Sequence, residues 1–379
     1  MPAKETIKSI RTETKERLLS LDTLRGFDMA MLVGIGGIII ALANLTGWNW
    51  LEVLATQQHH VQWEGFRFYD LIFPLFMFIS GVAIPYAINS KVARGIPKSI
   101  LLKKIAVRLV ALILLGMLYN GALSRGFTNL RYVSVLSQIG FGYFFAALIS
   151  LYSKSIRGPV FWLLGIWAGV AVLQLFVPVP GYGEGGIFEP ASSLNAWLDT
   201  HFIPGRLNDE VFDPEGVLCI VSAVSMTLLG TLAGHIIRSW TATAPARKAL
   251  YIALAGVGLI VIAQILSPYY PIIKKMWTVP YVMKAGGVSA LLLALFYYVI
   301  DVKGSKNWTL FFRVFGMNSI TIYLGDRIID FHDISRFFLN FTSVHINEKW
   351  GAVFIATGVL MLQWALLYFL YKRKIFLRV

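Results

Sequence analysis

Gln57-Gln-His59-His60-Val-Gln-Trp63-Glu64-Gly65-Phe-Arg67-Phe-Tyr-Asp70 runs directly into Leu71-Ile-Phe-Pro74-Leu-Phe-Met-Phe-Ile-Ser80-Gly81-Val-Ala-Ile-Pro-Tyr86. The second half is apolar enough to lie in a bilayer. The first half gathers two histidines, a tryptophan and two acids. A carboxylate at the mouth of a membrane helix is costly, so Asp70 needs a partner or a task. This polar knot is the candidate active site, and the remaining chain reads as its housing.

Composition sets the class. With 57% hydrophobic residues, 14% charged residues and a mean hydropathy of +0.66, the chain is an all-α polytopic membrane protein rather than a soluble domain. Its 11 Trp and 16 Tyr fit interfacial belts. The net charge of +14 reads as Lys and Arg that set topology, with no nucleic acid as partner. Cys219 is the single cysteine, which excludes a disulfide or a Cys-based metal cluster within the chain. No metal is expected. The charged first twenty residues do not resemble a cleavable signal peptide.

Ten apolar stretches approach the roughly 20 residues that a bilayer core requires. They lie near 24–46, 67–87, 105–120, 133–152, 159–178, 216–236, 249–267, 279–300, 310–329 and 351–371. If the N-terminus is cytoplasmic, the inner segments hold 22 Lys and Arg and the outer segments hold 7. That bias predicts both termini inside, in an inner membrane crossed many times. Residues 1–21 are expected to form a cytoplasmic leader. Residues 22–379 are expected to form one bundle of about ten helices, with an outer loop at 179–213.

This topology puts His59, His60, Trp63 and Glu64 on the outer side, and Asp70 about one turn into the second span. A carboxylate that orients an imidazole makes it a better base or nucleophile. His60 stands ten residues before Asp70, but spacing alone does not separate His60 from His59. Asp22 and Arg25 share a helix face at the inner surface. Lys284 and Asn318 fall at membrane depth. The Gly36-Gly37 and Gly286-Gly287 pairs read as helix-packing sites. The basic run Lys91 to Arg108 suits either a topology signal or the phosphates of a nucleotide cofactor. Phosphate-loop, dinucleotide and His-Glu-x-x-His motifs are absent from the sequence.

Several stretches carry a family resemblance in chain order: Leu21-Asp-Thr-Leu-Arg25-Gly26; His60-x-x-Trp63-x-Gly65 with Asp70-Leu-x-Phe-Pro74; Arg131 before Val135-Leu136; Asp213-Pro-Glu215-Gly216; Lys275-Met-Trp277-Thr278; Gly316-Met-Asn318-Ser319; and Lys374-Ile-Phe376. From Leu18 onward the chain resembles the transmembrane domain of the heparan-α-glucosaminide N-acetyltransferase family and its bacterial homologues. The resemblance implies transfer of an acetyl group from cytoplasmic acetyl-CoA to a terminal glucosamine across the membrane. It places the catalytic histidine on His60, with Asp70 beside it. It also implies an outer site for a sugar acceptor, with Trp63, Glu64, Arg131, Asp213, Glu215, Lys275 and Trp277 as candidate substrate contacts. The human-type members carry an Asn where this chain has Gly36, so the acceptor is not fixed by the resemblance.

Such an enzyme must deliver an activated acyl group across about 30 Å of hydrocarbon. Arg25, Lys103, Lys104 and Arg108 are the candidates for the phosphate end of acetyl-CoA, with Asn318 lining its path. At the outer mouth His60 would deprotonate the acceptor or briefly carry the acyl group. The rival class is an amino-sugar or small-solute transporter, disfavoured by the lack of internal repeats. A non-catalytic membrane anchor is third. Membrane lipid is the surrounding partner, and a homodimer is left open.

Overall fold

A computed structural model describes residues 18–126, 129–153, 155–181 and 189–377. Most of the expected leader, residues 1–17, lies outside that range, as does the 182–188 part of the expected outer loop. The helices, in chain order, are α1 (Leu19–Thr46), α2 (Asn49–Thr56), α3 (Ile72–Ala93), α4 (Lys98–Tyr119), α5 (Val135–Tyr152), α6 (Arg157–Phe176) and α7 (Leu194–Phe202). They continue as α8 (Val217–Ser239), α9 (Pro245–Leu266), α10 (Val279–Val302), α11 (Thr309–Met317), α12 (Ser319–Ile328), α13 (Phe331–His345) and α14 (Glu348–Lys372). Among the described residues no strand is longer than an isolated bridge.

Eight described helices are long and apolar enough to cross a membrane: α1, α3, α5, α6, α8, α9, α10 and α14. Two of the ten expected spans take another form. The third lies in α4, whose first turns carry Lys98, Lys103, Lys104 and Arg108, leaving only its second half apolar. The ninth is divided at Asn318, where φ −126° and ψ 34° end α11 and start α12.

Close backbone contact explains how these helices pack. A Cβ on Gly81 would lie 2.0 Å from the Thr227 carbonyl, and one on Gly230 would lie 1.9 Å from that of Phe78. So α3 and α8 touch backbone to backbone, as small residues allow where no hydrophobic drive separates helix from lipid. The same contact joins α1 to α11, with Gly26 against Phe312 and Gly316 against Asp22. Around these seams Leu71, Leu75, Phe78, Trp277 and Tyr281 form the buried centre.

The spanning part of α3 starts at Ile72, so Asp70 sits in the 3₁₀ turn ahead of it rather than inside it. The connectors at this end interlock. Glu64 forms an antiparallel bridge with Ile273, and Arg131 forms one with Gly205. Asn120, just past α4, donates to the carbonyls of Arg131 and Val133, both at 2.8 Å. Segments far apart in sequence thus share one mouth of the bundle.

Candidate active site

The 57–70 segment folds onto itself before α3 begins. Gln57 accepts the Phe68 N–H on its side chain (3.0 Å) and the Tyr69 N–H on its carbonyl (2.9 Å). That closure brings His60 back over Asp70. His60 Nδ1 lies 2.7 Å from Asp70 Oδ1, and Asp70 Oδ2 accepts the Arg67 N–H at 3.0 Å. It is His60, and not His59, that reaches the acid. The Asp70 side chain is fully buried, whereas half of the His60 side chain is exposed. The Tyr69 ring packs on the imidazole at 4.6 Å between centroids, and the Tyr281 hydroxyl donates to the Asp70 carbonyl at 2.9 Å.

Burial works to raise the Asp70 pKa. The His60 hydrogen bond, the Lys274 charge and the Arg67 N–H outweigh it and hold the carboxyl below its ordinary value. A carboxylate that stays ionised can fix the imidazole with Nδ1–H toward it, leaving Nε2 as the basic nitrogen.

Lys274 is the residue that sequence reasoning missed. Its Nζ stands 2.9 Å from His60 Nδ1, 3.2 Å from Nε2 and 3.4 Å from Asp70 Oδ1. The neighbouring Lys275, named from the motif, turns away to Asp209 at 2.7 Å. The turn that carries both is pinned from below. Trp277 adopts a left-handed φ of 49°, Ser222 donates to its carbonyl at 2.6 Å, and Gln174 donates to the Met276 carbonyl at 3.0 Å. Two lysines in a segment expected to lie outside and otherwise free of cations were the available signal.

A second charged cluster adjoins the first. Arg131 donates from Nε to Asp213 Oδ2 at 2.7 Å and from Nη2 to Asp213 Oδ1 at 2.5 Å, and it also bonds Glu215. Asp199 accepts the N–H groups of Asp213 (3.0 Å) and Val217 (2.9 Å), which fixes the start of α8. Burial pushes Asp199 up to about 6 against those two donors. Two carboxylates share one guanidinium here. Burial pushes Glu215 up to about 7, with Arg131 opposing the shift and Asp213 adding to it.

The other expected substrate residues occupy different layers. Trp63 meets the Phe212 ring edge-on at 5.9 Å, tying the His60 segment to the Arg131 cluster. The Glu64 side chain is exposed beside it. Trp277 is buried below the mouth, packed edge-on against Phe73 and Tyr281 at 5.5 Å each.

The expected cofactor residues lie toward the opposite end of the chain's helices. Lys103 and Lys104 are exposed on the first turns of α4. At 1.5 Å per residue, they are about 25 Å along the helix from Asn120. Arg108 stacks on the Tyr143 ring at 4.0 Å, and its buried Nε has no hydrogen-bond partner among the described residues. Exposed ammonium groups and an unbonded guanidinium nitrogen suit a phosphate ligand. Arg25 is engaged otherwise, with Asp22 at 2.5 Å and the Gly316 carbonyl at 2.6 Å. Asn318 is buried and donates to the Ile375 carbonyl at 3.2 Å. Between the two ends, Asp28, Gln138, Thr227 and Ser289 carry buried polar atoms with no hydrogen-bond partner among the described residues.

Of the glycine pairs, Gly287 does pack on another helix, against Gly256 of α9. Gly36 instead faces the Gln58 side chain, where a Cβ would lie 3.0 Å from Oε1.

Known proteins are similar to this sequence. A family model described as a domain of unknown function (DUF5009) matches residues 17–176. The heparan-alpha-glucosaminide N-acetyltransferase of Mus musculus is 28% identical over 424 aligned positions, covering 97% of this chain and 61% of the mouse protein. The Homo sapiens protein of the same name is 28% identical over 421 positions, covering 96% and 60%. The chain therefore spans about three-fifths of the length of these curated relatives. They support the resemblance read from the motifs: along nearly its whole length this chain is similar to the heparan-alpha-glucosaminide N-acetyltransferases.

Proposed function

We propose that the chain is a transmembrane acyltransferase, moving an acetyl group from acetyl-CoA at the cytoplasmic face to the amine of a glucosamine-type acceptor at the outer face. Both termini are inside in this reading, and α4 and the α11–α12 pair complete ten crossings. The membrane is a bacterial inner membrane. The observation that carries the reading is the His60–Asp70 pair, 2.7 Å apart with the acid buried and the imidazole half exposed, at the mouth where four connectors meet. A buried acid behind an accessible imidazole is the arrangement of a base or nucleophile.

The roles follow from position. Lys103, Lys104 and Arg108 hold the phosphates, and the unpartnered polar atoms of Asp28, Gln138, Thr227 and Ser289 give the amide-bearing arm groups to bond. The thioester, when bound, supplies the activated acyl group. His60 Nε2 takes the proton of the attacking acceptor, and Asp70 fixes the imidazole that receives it. Arg131 with Asp213 and Glu215, and Trp63 with Glu64, form the rim where the acceptor docks.

The test is His60→Ala in the purified full chain, with CoA release from acetyl-CoA followed with and without glucosamine. Transfer should fall by roughly 10²–10⁴, the value of positioned base catalysis, with acetyl-CoA affinity little changed. His59→Ala should be milder. Near wild-type transfer in His60→Ala would sink the proposal, as would solute movement without CoA release in the wild type.

A further inference from the structure

Lys274 has so far only a position, and that position is unusual. A nitrogen 2.9 Å and 3.2 Å from the two ring nitrogens of His60 cannot lie in the ring plane, because Cε1 stands between them and would be overlapped. The ammonium therefore lies over the ring face. It leaves the in-plane lone pair of Nε2 open, consistent with the half-exposed His60 side chain. The other cations nearby are committed elsewhere. Arg67 Nη1 donates to the His60 carbonyl at 3.3 Å, Lys275 holds Asp209, and Arg131 holds Asp213 and Glu215. Lys274 is the cation that shares the space above the reacting nitrogen.

We propose that Lys274 is a catalytic residue that stabilises the negative charge forming on a carbonyl oxygen when its carbon is attacked beside His60. The proposal rests on the acyltransferase reading. In the step, the acceptor lone pair bonds to the thioester carbon while its proton passes to His60 Nε2. The carbonyl π pair moves onto oxygen, which accepts a hydrogen bond from the Lys274 ammonium. The pair then returns, the C–S bond breaks, and the sulfur leaves with its electrons and takes the proton from His60. Lys274 gives a hydrogen bond and no proton, and ends as it began. A fixed charge in a partly dry site needs no reorganisation as the oxyanion forms. Asp70, 3.4 Å away, keeps the ammonium in place.

Burial lowers the Lys274 pKa, with Asp70 and Glu215 opposing the shift and Lys275 adding to it. The charged form is thus lost at a lower pH than for an ordinary lysine. Activity that needs it is full below the lowered value and falls as pH rises through it. An arginine, charged throughout, removes that alkaline limb.

The experiment uses the full chain in detergent, with acetyl-CoA and D-glucosamine as probes, and the variants Lys274→Gln and Lys274→Arg. Lys274→Gln should lose turnover by roughly 10²–10³, as when an oxyanion donor is removed, with acetyl-CoA affinity unchanged. Lys274→Arg should keep more activity and show no alkaline limb. A second measurement needs no acyl transfer: carbethoxylation of His60 by diethyl pyrocarbonate, read by peptide mass spectrometry on the plateau of its pH profile. That reaction also attacks a carbonyl at His60, and it should slow by about tenfold or more in Lys274→Gln. Equal carbethoxylation rates, or wild-type turnover in Lys274→Gln, overturn the proposal. A wild type inert toward glucosamine counts against the acyltransferase reading, and Lys274 is then decided by the carbethoxylation rates.

Discussion

Asp70→Asn removes a negative charge that faces two groups at once. The carboxylate is fully buried, 2.7 Å from His60 Nδ1 and 3.4 Å from Lys274 Nζ. At 3.4 Å and an effective dielectric of about 20, its attraction for the ammonium is about 5 kcal/mol, part of which offsets the desolvation of both ions. Removing one partner of a buried pair costs about 3–5 kcal/mol, because the other is left uncompensated. Against a total stability of about 5–15 kcal/mol, that loss should lower the melting temperature clearly. The amide also cannot stabilise the imidazolium, so turnover should fall by up to about 10⁴. The two effects separate in the double variant Asp70→Asn/Lys274→Met. Removing the stranded charge should restore at least half of the lost stability while turnover stays low. Unfolding followed by tryptophan fluorescence, together with CoA release, reads both. If Asp70→Asn melts like the wild type, or if the double variant shows no coupling between the two sites, the carboxylate is not the counter-charge of Lys274.

Two further outcomes follow from the other charged groups. A carboxyl with a raised folded pKa stabilises the fold fully below its unfolded value and loses that contribution as pH rises; for Glu215 the window runs from about 4.5 to about 7. Glu215→Gln should therefore melt higher than the wild type at about pH 8 relative to their difference at about pH 4, and a difference of the opposite sign would show that Glu215 is stabilised as the anion. At the other end, Lys103→Ala/Lys104→Ala should weaken acetyl-CoA binding about tenfold, or 1.4 kcal/mol, with Arg108 left to hold α4 on Tyr143. In sealed vesicles the wild type should use acetyl-CoA only from the face that bears these lysines, and use from the opposite face would reverse the orientation.

Much of this was legible because it is local. The long helices announce themselves by apolar length, and His60 meets Asp70 within one continuous segment. Where the reading fell short, the cause was tertiary. The third span was blurred because Lys103, Lys104 and Arg108 lie on a helix that is apolar only beyond them. The ninth was read as continuous, yet Asn318 divides it next to Gly316, whose Cα packs against the Asp22 carbonyl of α1. Lys274 was out of reach for a different reason. Its partner is 214 residues away, and nothing in Lys274-Lys275 says which ammonium turns inward. The left-handed turn at Trp277 and the buried donors from α6 and α8 make that choice. The Arg131 cluster entered through resemblance, since its members lie 82 and 84 residues apart.

The two ends of the bundle differ in how their charges are balanced, and that difference bears on how one protein could hold a polyanion and react its far tip. At the mouth, Lys274 faces Asp70, Lys275 faces Asp209, and Arg131 faces Asp213 and Glu215. A polyphosphate brought there would have to displace acids already bonded to each cation, and it would meet Glu215 and Asp213 directly. At the start of α4, Lys103 and Lys104 are exposed, and the buried Nε of Arg108 has no hydrogen-bond partner among the described residues. Phosphates there gain attraction without displacing an internal partner. The compensated mouth therefore suits positioned chemistry, where charges must stay fixed while a new one forms. The uncompensated end suits capture. The 22 to 7 distribution of Lys and Arg counted for the expected topology runs in the same direction, so the residues that would orient the chain in the membrane would also define the face from which a polyanionic donor should enter.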